Sequence, residues 1–182
     1  MISEFVAYLA GIIISMIYCF YSFRKNYPFR KVLYTLIFIL YLTCVAAITL
    51  FPMQYDTQLN NHMSNLEYRL ELIPFETIWR FTAINNFYAF FVQIIGNIVM
   101  TIPFGFLMPV IAKNRSKRFY ILHCLALPLI IEFSQFFIGF LFQTFYRTAD
   151  IDDVILNFCG AMIGLLIFRL VPDRIKKFLR LS

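Results

Sequence analysis

The sequence predicts an all-α integral membrane protein, a polytopic helix bundle with about five transmembrane helices. Of its 182 residues, 61% are apolar or aromatic and only 14% are charged. A soluble domain is nearer half apolar, with about a quarter of its residues charged. Five apolar runs also approach the roughly 20 residues that a spanning helix needs. The chain is therefore expected to be solvated by lipid, as a single membrane domain over residues 1–182.

The apolar runs cover residues 2–23, 33–52, 87–112, 119–142 and 154–171. The first run is not expected to be a cleaved signal peptide, because Arg24 and Lys25 follow the run and no basic residue precedes it. The third run contains Pro103. Proline removes a helical hydrogen bond, so the third helix is predicted to be kinked or broken there.

The segments that connect the runs alternate in charge, which predicts the orientation. Lysine and arginine dominate segments 24–32 and 113–118 and the tail after 171, whereas acidic residues outnumber basic ones in 53–86 and 143–153. Basic loops are typically cytoplasmic, so the N-terminus is predicted outside and the C-terminus inside. This clustering also explains the net charge of +6 without a nucleic-acid partner, and none is expected.

The outer segment 53–86 is too long for a simple turn. Residues 64–67 match a helix capping box. Residues 74–81 are predicted to form a short helix that lies flat on the membrane, with Trp79 as its interfacial anchor and Glu76 paired with Arg80. The alternative is a solvated loop with one aromatic anchor.

Polar residues inside the apolar runs are the candidate site. A charge near the bilayer centre costs about 2.5–3.5 kcal/mol on insertion scales. Glu132 lies well inside the fourth run, and Gln135 shares its helix face. A second polar stripe follows one face of the fifth helix: Asp153, Asn157, Gly160 and Gly164. The two glycines form a GxxxG step that allows another helix to approach closely.

These residues are expected to form one outward-facing pocket. The helix rise places Asn97 and Glu132 roughly 15 Å below the outer ends of their helices. Arg147, Asp150 and Asp153 are expected at the mouth of the pocket.

Each of these residues also has a structural interpretation. Asp152 or Asp153 would cap the fifth helix. Asn97 would make an interhelical hydrogen bond, and Arg147 would pair with Asp150 or Asp153.

Four sets of residues occur in a fixed order over about residues 70–170. They are Glu71–Phe75, then Gly96–Ile98 with Ile102–Leu107, then Glu132–Gln135, and finally the pattern R-x-x-D-x-x-D-x-x-x-N-x-x-G-x-x-x-G from Arg147 to Gly164. In order and spacing they resemble the VanZ-like family of bacterial membrane proteins, whose first motif usually begins with Asn where this chain has Glu71. The resemblance implies a multi-pass protein of the bacterial cell membrane. The family is named for a protein that gives low-level resistance to teicoplanin, a lipid-tailed glycopeptide antibiotic.

Four functions remain open from the sequence. The first is non-enzymatic binding of a lipid-linked envelope molecule or a lipoglycopeptide, with Arg147 holding an anionic group. The second is a membrane-embedded enzyme, with Glu132 as acid or base and Asp153 as a further catalytic candidate; Asp150 and Asp153 would alternatively hold a divalent cation. The third is a transporter or flippase component that uses Glu132 as a proton site and works as a homodimer. In the fourth, the polar residues only join helices.

The candidate ligand-binding residues are Asn97, Glu132, Gln135, Arg147, Asp150, Asp153 and Asn157. The two histidines, His62 and His123, are isolated, and the chain has no HExxH motif and no cysteine–histidine cluster. We therefore predict no resident metal and no cofactor. Membrane lipids are the expected partners.

Overall fold

A computed structural model describes residues 3–51, 70–83, 87–142 and 149–179. Its helices are α1 (Phe5–Arg24), α2 (Phe29–Leu50), α3 (Glu76–Ala83), α4 (Phe87–Ile111), α5 (Lys117–Phe142), α6 (Ile151–Leu170) and α7 (Asp173–Leu179). Within the described ranges, α1, α2, α4, α5 and α6 are long and apolar enough to cross a membrane. The predicted all-α bundle is confirmed, with helix ends that differ from the predicted runs by a few residues. The orientation stays a prediction.

Helix α4 continues through Pro103 and Pro109. It is therefore not broken at Pro103, and the kink stays a prediction. Its C-terminal end is joined to α5 by a tight turn in which Asn114 adopts a left-handed φ of 56°. Asn26 has a φ of 51° in the corresponding turn between α1 and α2. Asparagine tolerates this conformation better than most residues, which suits it to end a helix.

Helices α4 and α6 make the most extensive contact in the bundle. A Cβ atom on Gly160 would meet the carbonyl oxygen of Ile98, and one on Gly164 would meet that of Ile102. Gly105 of α4 faces the Ala161 carbonyl oxygen in the same way. The close approach predicted from the GxxxG step is therefore present, and α4 is the partner.

The first two helices pack to one side of this pair. Helix α2 contacts α4 and α5, and the Tyr41 hydroxyl donates to the Met100 carbonyl oxygen at 2.8 Å. Helix α1 packs against α2, with Gly11 directly against the Thr43 side chain. Most other side chains of α1 are exposed and apolar, as expected for a helix that faces lipid.

Two short strands, β1 (Leu70–Glu71) and β2 (Ala149–Asp150), pair in parallel next to the start of α6. Sequence patterning did not predict them, because two residues carry no periodic signal. Helix α3 follows β1 and overlaps the predicted short helix over 74–81, and Glu76 contacts Arg80 at 3.4 Å. Trp79 is exposed, but its position at the membrane surface stays a prediction. The capping box at 64–67 lies outside the described residues.

The tight α4–α6 contact predicts which glycines tolerate a methyl group. Gly164→Ala should lower the free energy of unfolding by about 1–3 kcal/mol, because the new Cβ meets backbone that cannot move aside. Gly96→Ala is the matched control on α4, because a Cβ there meets nothing within 4 Å. Alanine should leave stability unchanged or raise it by up to about 1 kcal/mol at this position. Thermal unfolding in detergent measures both, and equal effects of the two variants would contradict this packing.

Candidate functional site

Acidic side chains from four parts of the chain converge at the end of the bundle where α6 begins. Glu71 comes from β1, Glu132 from α5 and Asp150 from β2, while Asp152 and Asp153 lie in the first turn of α6. Glu132 is 5% exposed, Asp150 6% and Asp152 1%. Buried carboxylates are costly unless they are hydrogen-bonded, so their partners determine what this acidic network does.

Glu132 fixes the depth at which α6 starts. One of its carboxylate oxygens accepts a hydrogen bond from the backbone N–H of Asp150 at 2.9 Å. Glu132 lies ten residues before the end of α5, so this contact is roughly 15 Å below that end. Asp150 was expected at the mouth of the pocket. The structure instead places it at the level of Glu132, because α6 begins well below the end of α5.

Asp150 is the N-cap of α6. Its carboxylate accepts from the backbone N–H of Asp152 at 2.8 Å, so the cap is neither Asp152 nor Asp153 as the sequence had suggested. Burial raises the pKa of Asp150 above its usual value, and the hydrogen bond from the Asp152 backbone N–H opposes this increase. Desolvation therefore disfavours the charged form of Asp150.

Asp152 ties α3 to α6. Its two carboxylate oxygens accept from the backbone N–H groups of Phe75, at 2.5 Å, and Ile78, at 3.4 Å. Phe75 has a left-handed φ of 68°, an uncommon conformation for a bulky residue, and its N–H points at Asp152. The first turn of α3 is thus capped by a side chain more than seventy residues away in the sequence.

Asp153 joins α6 to α4. One carboxylate oxygen accepts from the side-chain amides of Gln93, at 2.5 Å, and Asn97, at 2.6 Å. One turn further along α4, the Thr101 hydroxyl donates to the Asn157 carbonyl oxygen at 2.6 Å. Gln93 and Thr101 were absent from the predicted set of site residues, although their spacing of four residues on either side of Asn97 places all three on one helix face.

Glu71 holds the other side of α3. Its carboxylate accepts from the Thr77 hydroxyl at 2.6 Å and from the Arg80 guanidinium at 3.0 Å. The hydrogen bond from Arg80 to Glu71 is the main reason that the pKa of Arg80 rises above its usual value. Both Glu71 and Arg80 were absent from the predicted set of site residues.

Two buried amide oxygens have no donor among the described residues. They belong to Gln135, on α5, and Asn157, on α6. The Gln135 amide nitrogen donates to the Thr49 carbonyl oxygen of α2 at 2.9 Å, so its oxygen is directed elsewhere. A buried acceptor without a donor costs about 1–3 kcal/mol. The region therefore has hydrogen-bonding capacity that its own side chains leave unused.

The predicted site residues are only partly brought together. Asn97 binds Asp153, and Glu132 binds the backbone of Asp150. Gln135 points to α2 instead, although it shares a helix face with Glu132. Arg147 lies outside the described residues.

The geometry gives no support to a metal site at these residues. Within the described ranges, no group of three or more His, Cys, Asp or Glu side chains is arranged to hold a metal ion. The hydrogen bonds to Asp150 and Asp153 come instead from the backbone N–H of Asp152 and from the amides on α4.

The capping role of Asp152 gives a local prediction. Asp152→Ala should release the Phe75 and Ile78 amides, so both should exchange hydrogen faster, and stability should fall by about 1–3 kcal/mol for each donor left unpaired. Glu4→Ala is the control, because the side chain of Glu4 makes no capping hydrogen bond at α1. Hydrogen exchange on protein in nanodiscs measures the effect, and unchanged protection of α3 in Asp152→Ala would refute the role.

Comparison with known proteins identifies the family. The VanZ/LLP1 family profile matches residues 38–172, a range that begins within α2 and includes α3 to α6. No curated protein matches, and neither does any solved structure. The profile covers well over half of the chain and contains every member of the acidic network. With its five apolar helices, this protein belongs to the VanZ/LLP1 family and is a multi-pass protein of the bacterial cell membrane.

Proposed function

We propose that this protein binds an amphiphilic envelope molecule at the acidic end of the bundle and thereby lowers sensitivity to teicoplanin-type lipoglycopeptides. The ligand is either a lipid-linked envelope molecule or the drug itself. One observation carries the proposal: the acidic network lies directly beside an exposed apolar strip, formed by Leu72, Ile73, Phe75 and Trp79. A polar group next to an apolar surface is the arrangement that a lipid-tailed molecule requires.

The polar half of this surface favours hydrogen-bond donors. Gln93, Asn97 and Asp153 are only half-buried, so these polar groups are partly exposed on the surface of the bundle. Carboxylate and amide oxygens accept from hydroxyl, amide and ammonium groups, which are common on glycan and peptide headgroups. Arg147, which precedes β2 in the sequence, is proposed to hold an anionic group of the ligand.

The apolar half lies on the chain around the start of α3. Each of its four side chains is at least 60% exposed. Asp152 holds this segment against α6 through the hydrogen bond from Phe75, and Glu71 braces the segment internally through the hydrogen bond from Thr77. Because the same network positions the strip and presents the polar groups, the two halves of a bound amphiphile would contact one rigid surface.

The simpler interpretation is that these polar residues only join helices. A substitution of Asp153 distinguishes this interpretation from ligand binding. Asp153→Asn keeps the size of the side chain and an oxygen that can accept a hydrogen bond from α4. We expect this variant to stay folded but to bind labelled teicoplanin at least about tenfold more weakly, the loss expected when one charge-assisted hydrogen bond disappears. The measurement uses full-length protein in nanodiscs.

Two further variants sharpen this test. Glu4→Gln is the matched control, because it removes an exposed carboxylate from the end of the bundle that is predicted to be outside. Asp150→Asn retains a good N-cap residue and relieves the desolvation cost, so it should be as stable as wild type or more stable. If neither teicoplanin nor any envelope lipid binds wild type, or if Asp153→Asn binds normally, the proposal fails.

The cellular prediction concerns antibiotic sensitivity. A Gram-positive host that lacks the protein should become less sensitive to teicoplanin when it expresses wild type, and the protection should be lost with Asp153→Asn and with Glu132→Gln at equal membrane abundance. Vancomycin sensitivity is the comparison, and the protection should be selective for teicoplanin. If the protein instead turned over a lipid-linked substrate, and this turnover required Glu132, the membrane-embedded enzyme would be the favoured function.

A further inference from the structure

A cavity lies at the opposite end of the bundle from the acidic network. It has a volume of about 350 Å³ and lies between the α4–α5 turn, the C-terminal end of α6 and α7. Its charged lining consists of four cationic side chains and one carboxylate: Arg115, Lys117, Arg169, Lys176 and Asp173. The charge pattern of the loops predicts that this end is cytoplasmic.

We propose that this basic cavity binds the phosphate-bearing headgroup of an anionic membrane lipid. The proposal goes beyond the function suggested for the acidic end and shares no residue with it. Basic cavities between transmembrane helices on the cytoplasmic side are suited to anionic headgroups.

The cavity is at the depth of lipid headgroups. The candidate span of α4 ends at Ile111, that of α5 begins at Lys117, and that of α6 ends at Leu170. The basic residues therefore lie where three spans leave the apolar region together. A lipid phosphate occupies this level of the bilayer, whereas its acyl chains lie beside the helices.

The basic residues are held in place by the surrounding fold. Tyr120 is buried, and its hydroxyl donates to the Ala112 carbonyl oxygen at 2.7 Å and accepts from the Arg115 backbone N–H at 3.1 Å. The Arg115 guanidinium lies 5.5 Å from the centre of the Phe119 ring. These contacts fix the turn that carries Arg115, so less conformational freedom is lost when an anion binds.

Helix α7 closes the other side of the cavity. Lys176 donates to the Arg169 carbonyl oxygen at 2.8 Å, and this hydrogen bond holds α7 against the C-terminal end of α6. Lys176 also contacts Asp173 at 3.3 Å, but the Asp173 side chain is 97% exposed. An exposed ion pair is worth little, so Asp173 does not neutralise the cavity.

The remaining wall is apolar, which favours a lipid over a soluble anion. Met162, Leu165 and Phe168 line the cavity from α6, and Ile121 lines it from α5. Further along the bundle, Leu122 and Leu166 are exposed. A phosphate held by Arg115 and Lys117 would thus have an apolar surface below it for the acyl chains.

The test measures binding of phosphatidylglycerol to full-length protein in phosphatidylcholine nanodiscs, by native mass spectrometry and by the shift in melting temperature. Wild type should bind phosphatidylglycerol selectively. The double variant Arg115→Gln/Lys117→Gln should bind it roughly fivefold more weakly for each cation removed. The charge-preserving pair Arg115→Lys/Lys117→Arg should retain most of the binding.

The matched control removes two positive charges outside the cavity. Arg118→Gln/Arg174→Gln changes exposed residues on α5 and α7 that do not line it. If this pair weakens binding as much as the cavity pair does, the attraction is a general surface effect and the proposal is wrong. Arg169→Gln, on the other wall, should also weaken binding. This variant replaces Arg115→Gln/Lys117→Gln as the test if that double variant does not fold.

Soluble ligands distinguish a lipid site from a phosphate site. Inorganic phosphate and glycerol phosphate, added to wild type in phosphatidylcholine nanodiscs, should compete only weakly because they cannot use the apolar wall. Competition at the same concentration as phosphatidylglycerol would assign the cavity to a soluble phosphate compound and overturn the lipid assignment.

Discussion

The structure at the acidic end depends on one constraint: backbone that leaves helical form inside a membrane-spanning bundle must still have its N–H groups hydrogen-bonded. The chain enters α6 roughly 15 Å below the end of α5. The N–H groups exposed there belong to Phe75, Asp150 and Asp152, and each is bonded to a carboxylate. Buried acids in this protein are therefore first of all backbone acceptors, and this role explains why Glu132 and Asp152 are so deeply enclosed.

The same constraint links the two sides of the network. Asp150 caps α6, which orients Asp153 towards α4, while Asp152 turns the other way and caps α3. Three carboxylates within four residues thus serve three different elements. The glycines let α4 and α6 pack closely, and the hydrogen bonds of Asp153 join the same two helices. Both contacts would be lost if the helices moved apart, so together they make this arrangement rigid. Ligand binding by the network would use groups whose positions the fold has already determined.

The sequence predicted the features that depend on local patterns and missed those that depend on tertiary position. Apolar runs predicted all five long helices, and the spacing of Gly160 and Gly164 predicted a close helix partner. Asp152 and Asp153 both qualify as caps of α6 by sequence, yet the N-cap of α6 is Asp150, while Asp152 bonds to α3 and Asp153 bonds to α4. The β1–β2 pairing and the contacts of Glu71 join distant segments through two-residue elements, which leave no periodic signal.

The charges at the two ends of the bundle have structural roles besides the binding proposed for them. Acidic residues at the start of α6 and Arg169 in its last turn both complement the helix dipole, and the basic loops are predicted to orient the chain in the membrane. Charge alone therefore does not indicate a site at either end. What separates Lys117 from Arg118, or Asp153 from Glu4, is position: the first of each pair lines a cavity or belongs to a hydrogen-bonded network, and the second does not. The first member of each pair is placed to contact the proposed ligand together with neighbouring polar groups, so the same substitution should affect binding at that member alone.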